Sequence, residues 1–190
     1  MSQAAGEVEL VKRAMQGDRM AFEQLYRRHL GAIYHYVRFR VSDPAAAEDV
    51  VQEVFVSAWR SLPTLRRPGQ LRVWLFRIAH NRVLNYWRDR DRRPVETELS
   101  PMIEEALLPE QALRSEIERR LSIEQALAAI DRLTPLQQQV ITLRFIAGLT
   151  AAETAEILGR SENAVHNLQH HALAALRRHV GAAAEKDGTP

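Results

Sequence analysis

The residues best suited to chemistry lie between Leu71 and Arg93, in LRVWLFRIAHNRVLNYWRDRDRR. At helical spacing, Arg77, Asn81, Asn85, Arg88 and Arg92 form one stripe that contains no acid. Guanidinium groups bind phosphate in bidentate fashion, and a carboxamide offers a donor and an acceptor together to a base edge. Trp74, Phe76 and Trp87 add flat faces on which an unstacked base can lie. The preceding stretch 63–70, PTLRRPGQ, is a loop by its two prolines and glycine, and it carries Arg66 and Arg67. Beside the Arg/Asn helix, such a loop can wall a pocket for an extruded base.

Two further groups stand out. Glu48, Asp49, Gln52 and Glu53 share one face of a helix read from Pro44 to about Leu62. An acidic patch beside a basic helix is not for DNA, and a basic protein partner is its sharper reading; a merely solvated face is the plainer one. Near the C-terminus, Glu153, Ala155, Ile157-Leu158-Gly159, Ser161 and Val165 are spaced as in a helix-turn-helix. The second helix of that motif enters the major groove N-terminal end first. This places Glu162, Asn163, His166, Asn167, Gln169 and His170 toward bases, and Arg160, Ser161, Arg177 and Arg178 toward phosphates. His166 and His170 are also spaced as metal ligands, but neither HExxH nor any cysteine accompanies them, so no metal and no cofactor is expected.

The elements that must position these groups are all helical. Asp18 and Asp43-Pro44 read as helix starts, as do Thr134-Pro135, the capping box Thr150–Glu153, and Ser161. The apolar repeat gives helices over about 7–16, 21–41, 44–62 and 71–93, then 110–131, 136–147, a short one after Thr150, and 162–180. The fold class is all-α, with two small helical domains joined by a flexible linker and the second domain a helix-turn-helix. The boundaries are 1–94 for the first domain, 95–109 for an acidic linker, 110–180 for the second domain and 181–190 for a frayed tail.

Charge follows the same division. Overall the chain is nearly balanced at +2, yet residues 1–94 hold 17 Lys+Arg against 10 Asp+Glu, whereas residues 95–132 hold 4 against 9. Residues 60–93 alone carry 10 Arg against 2 Asp, which suits a polyanion and salt-sensitive binding. Cysteine is absent, which excludes disulfides and thiolate metal sites. There is no apolar run of membrane-spanning length and no signal-peptide pattern, so a cytoplasmic protein is expected.

With both halves in view, the chain resembles a bacterial RNA polymerase sigma factor of the extracytoplasmic-function group. The strings that carry the likeness are GDRMAFEQLYRRH, AEDVVQEVFVSAW, VWLFRIAHNRVLNYWRDRDRR and LTPLQQQVITLRFIAGLTAAETAEILGRSENAV. The resemblance implies a non-catalytic specificity subunit that directs core RNA polymerase to promoters. Asp49, Gln52, Glu53 and Phe55 match the motif that docks on the clamp helices of the polymerase's largest subunit. The Arg/Asn helix and the loop before it match the element that melts and reads the −10 region, with Asn81 and the loop holding a flipped non-template base. At least one of Tyr86 and Trp87 is then core. The helix-turn-helix matches the −35 reader, which also touches the flap of the second subunit, and the linker would thread toward the active-site channel. Association with the nucleoid and an anti-sigma factor are implied as well.

The sequence departs from the family pattern in places. Asn85 stands where an Asp is common, Asn163-Ala164 where Gly-Thr is common, and His166 and His171 where basic residues are common. Histidine gains charge as pH falls through about 6.5. The expectation is a −35 duplex affinity that rises between pH 8 and pH 6. Two other function classes fit the residues less well. A stand-alone helix-turn-helix regulator leaves the acidic 48–53 face unused. A metal-dependent hydrolase needs His166, His170 and the Glu48/Asp49/Glu53 group to converge from separate modules.

Overall fold

The computed structural model describes residues 2–91, 130 and 132–186. Every regular element among them is helical. The chain divides into two compact units, residues 1–97 with 142–160 and residues 98–141 with 161–190. The predicted linker, most of the predicted 110–131 helix and Arg92 lie outside the described residues.

The first unit is built on α1 (Ser2–Met15), α2 (Arg19–Arg40), α3 (Pro44–Ser61) and α4 (Leu71–Asp91). Local signals start the helices where expected. The Asp18 carboxylate accepts from the Met20 and Ala21 N–H groups, and Asp43 accepts from Ala45 N–H ahead of Pro44 at the first helical position. The Ala21 N–H, then the Arg13 guanidinium, hold the Asp18 carboxyl below its ordinary range. Residues 62–70 are two short 3-10 turns, Leu62–Thr64 and Pro68–Gln70, which reverse the chain between α3 and α4.

Helix α4 packs against both α2 and α3, so its buried arc is wider than one stripe. Of the apolar stripe that the period predicts, Leu71, Leu75, Ala79 and Val83 are buried and Ile78 and Tyr86 partly so, but Val73, Phe76 and His80 are buried too. Phe76, expected as a base platform, is 1% exposed and meets Tyr36 edge-on, so it is core. Tyr86 packs partly against the core, and Trp87 is half-exposed with its Nε1–H donating to Arg40 O. Residues 142–160 pack with these helices: Leu143, Ala147 and Leu149 join the same apolar core, and Arg72 donates to the carbonyls of Ala147 and Gly148.

The helix expected to run unbroken from Leu136 to Ala147 is instead α5 (Pro135–Ile141) followed by a π-helical turn, Thr142–Ile146. Ala147 N–H reaches back five residues to Thr142 O, and Gly148 then turns with φ +62°. Helix α6 (Ala151–Leu158) has the full reciprocal capping box of Thr150 and Glu153, and ends on Gly159 in the left-handed region.

In the second unit α5 packs on α7 (Glu162–Lys186), burying Leu133, Ile141 and Ala172 together. Ser161 Oγ accepts from Ala164 N–H and starts α7 as expected. The helix does not stop near Val180. It continues to Lys186 through Ala182-Ala183-Ala184, residues of the highest helix propensity.

Candidate nucleic-acid interface and docking face

On α4, Asn81, Asn85 and Arg88 lie exposed along one stripe. Asn81 has no partner among the described residues, whereas Asn85 Oδ1 accepts from the Arg88 guanidinium. Arg77 is half-buried, and its Nη2 sits 2.5 Å from the Glu156 carboxylate of α6. Arg66 and Arg67 are exposed on the turn before α4. With Gln70, Trp74, Arg77 and Glu156 they wall a cleft of about 460 Å³. Trp74 is therefore the aromatic face that the structure brings to the predicted basic loop.

The acids of α3 occupy the adjoining side of the same unit. Glu48, Asp49, Gln52 and Glu53 are all exposed, and Phe55 is buried. Phe55 does not project. It meets Tyr26 edge-on at 4.7 Å and floors a groove of about 1040 Å³ between α2 and α3. Glu48 and Gln52 stand on the rim of that groove, while Asp49 and Glu53 face a second cleft shared with α4. Tyr26 and Val56 are exposed apolar surface on this groove that no signal in the sequence marked. The periodicity assigns Tyr26 to the core, and no local signal separates a groove wall from a core position.

Arg82 was absent from the predicted site, yet it joins the two helices. Its Nη1 lies 3.2 Å from Glu53 Oε2, and its Nη2 donates to Ser57 Oγ at 2.6 Å. Beneath α4, the Tyr36 hydroxyl and His80 Nδ1 are 3.0 Å apart in the core. The phenol donates when the imidazole carries its proton on Nε2, and burial favours that neutral pair. It pushes the phenol up and the imidazole down to about 4.

On α7, Glu162, Asn163, His166, Asn167, His170 and Arg177 are exposed, Gln169 is half-buried, and Arg160 and Ser161 are exposed on the turn before it. His166 Nε2 lies 3.7 Å from Glu162 Oε1. Among the described residues no group of three or more His, Cys, Asp or Glu could hold a metal ion, and no helix is long and apolar enough to cross a membrane.

Comparison with known proteins decides the family. The Sigma-70 region 2 family matches residues 25–93, and the Sigma-70 region 4 family matches residues 129–178. The ECF RNA polymerase sigma factor BldN of Streptomyces coelicolor is 36% identical over 93% of this chain and 67% of its own length. The chain belongs to the ECF RNA polymerase sigma factors. The sigma factor SigX of Bacillus subtilis is 30% identical over 84% of this chain and 83% of its own length. Among solved structures, CnrH in complex with the cytosolic domain of CnrY matches with TM-score 0.68 and 30% identity, covering 93% of this chain and 97% of CnrH. The sigma factor RpoE of Bartonella quintana, solved with the anti-sigma factor NepR, shares the fold at 21% identity and TM-score 0.65. As an alternative sigma factor, the protein directs RNA polymerase to promoters. The residues expected from the sequence to read −10 and −35 elements fall in the region 2 and region 4 matches respectively.

Proposed function

We propose that the first unit divides initiation between two neighbouring helices. The acids of α3, Asp49 and Glu53 with Gln52, dock on the clamp helices of the largest polymerase subunit, and Phe55 holds the wall of the adjoining groove. The stripe Arg77, Asn81, Asn85, Arg88 and Arg92, with Arg66 and Arg67, melts and reads the −10 element. Asn81 and the cleft beside Trp74 receive a flipped non-template base. Arg160, Ser161, Glu162, Asn163, His166, Asn167, Gln169, His170 and Arg177 read the −35 element, and that module touches the flap of the second subunit. The functional domains are 1–94 and 110–180. The protein supplies specificity and no catalysis, acts in the cytoplasm on nucleoid DNA, and is restrained by an anti-sigma factor.

One observation carries this reading. The exposed stripe of α4, Asn81, Asn85 and Arg88, holds no acid, whereas the exposed face of the neighbouring α3 in the same packed unit holds Glu48, Asp49 and Glu53. A carboxylate face repels DNA and attracts a basic protein surface, while the neighbouring face does the reverse. Reversing charge with Asp49→Arg and Glu53→Arg together tests it. Affinity for core polymerase should fall at least a hundredfold, roughly the 3 kcal/mol expected when attraction becomes repulsion at an interface. Co-purification equal to wild type removes the assignment of this face as the docking surface.

A further inference from the structure

The Glu53–Arg82 pair sits on the seam between the two proposed faces, and neither face accounts for it. Glu53 is a proposed docking acid. Arg82 follows Asn81 directly and precedes Asn85 by three residues, so it flanks the reading stripe. Both side chains reach solvent, at 39% for Arg82 and 60% for Glu53. They open on the cleft that also holds Asp49, Asn85 and Arg88. The free chain thus carries its own cation on the carboxylate that a basic partner would need.

Such a pair is made to be exchanged. A solvent-exposed ion pair contributes about 0.2–1 kcal/mol. A cation presented by a docked protein surface, partly removed from water, competes well against that. Once Glu53 is taken, the remaining partner of Arg82 is the neutral Ser57 hydroxyl, and its guanidinium lies at the edge of the α4 stripe. A nucleic-acid phosphate is the strongest acceptor that face is proposed to meet, because guanidinium–phosphate bonds are charge-assisted and bidentate.

We propose that Arg82 is a further promoter phosphate contact, held on Glu53 in the free chain and released to DNA when a basic group of the polymerase takes that carboxylate. The inference rests on the reading of α3 as the docking face. It makes polymerase binding and promoter binding mutually reinforcing, since coupling between two sites is reciprocal.

The test compares the full chain with Arg82→Met, which keeps the stem and removes the charge, and Arg82→Lys, which keeps the charge. Arg82→Met leaves Glu53 bare, so affinity for core polymerase should rise by up to about fivefold. In the assembled holoenzyme the same variant should reduce the salt slope of promoter binding by about one, and Arg82→Lys should keep it. A second arm uses the free chain with a single-stranded −10 oligonucleotide. Glu53→Gln should tighten binding severalfold by releasing Arg82, whereas Asp49→Asn, which removes the same charge without a partner on α4, should not. Weaker or unchanged core binding by Arg82→Met, or equal effects of Glu53→Gln and Asp49→Asn, overturns the inference and leaves Arg82 a clamp between helices. If the wild-type chain itself ignores core polymerase, the docking reading fails first and takes this one with it.

Discussion

Asn81 is the side chain on which the −10 assignment turns. It is exposed, uncharged and unpartnered among the described residues, which is the state a base-reading carboxamide needs before DNA arrives. A good base contact contributes about 1–3 kcal/mol. Asn81→Ala should therefore leave core association unchanged and lower open-complex formation by roughly tenfold to a hundredfold, measured by permanganate reactivity of the melted strand. Wild-type melting contradicts the pocket assignment. The exposure of Asn81 was legible from its place in the stripe, and that of Glu162, Asn163, His166, Asn167 and His170 from their place after Ser161. The pairings Arg77–Glu156 and Arg82–Glu53 were not. Spacing along one helix says which face a charge occupies, and nothing about which distant acid reaches it.

Capped helix starts were the most legible feature, because capping is local. Asp18, Asp43, Thr150 and Ser161 each accept N–H groups two or three residues ahead. Thr150→Ala removes one half of a capping box and should weaken α6 by about 1 kcal/mol. Faster amide exchange confined to 151–158 would register the change, and unaltered exchange would contradict it. What sequence periodicity concealed was the two-sided burial of α4, because helix wheels reveal one apolar face well and two adjoining ones poorly. Phe76 and His80 were lost for that reason.

His80 gives the packing of α4 against α2 a pH dependence. Its pKa is about 4 in the fold against 6.5 in an open chain, so the unfolded state binds the proton first. Stability from this site is whole above pH 6.5 and declines as pH falls toward 4, by at most about 3 kcal/mol. Burial lowers His29 in the same direction, with nearby Glu7 opposing it. Denaturant midpoints measured at pH 7.5 and pH 5 should differ less in His80→Gln, which keeps a hydrogen-bonding group but does not titrate there. An equal difference in both proteins assigns the pH dependence elsewhere.

At the scale of the molecule, sequence alone reaches the family, because two separate motif sets in the right order are hard to assemble otherwise. The region 2 and region 4 matches, at 25–93 and 129–178, fall on the same two stretches that carried the resemblance. The packing of 142–160 with the N-terminal helices was not legible, since it depends on tertiary contacts made by Leu143, Ala147 and Leu149. Nor was the π-turn, which keeps the residue types of an ordinary helix and alters only the hydrogen-bond step.

The central claim is a division of labour: acids on one helix hold the polymerase, and amides and arginines on the next open the promoter. Run-off transcription with purified core polymerase on a genomic template library tests it most directly. The account predicts discrete transcripts that require the added protein, that disappear with Asp49→Arg/Glu53→Arg, and whose open complexes are impaired by Asn81→Ala. Transcripts that persist undiminished with both variants, or a wild-type chain that yields none from any template, would contradict it.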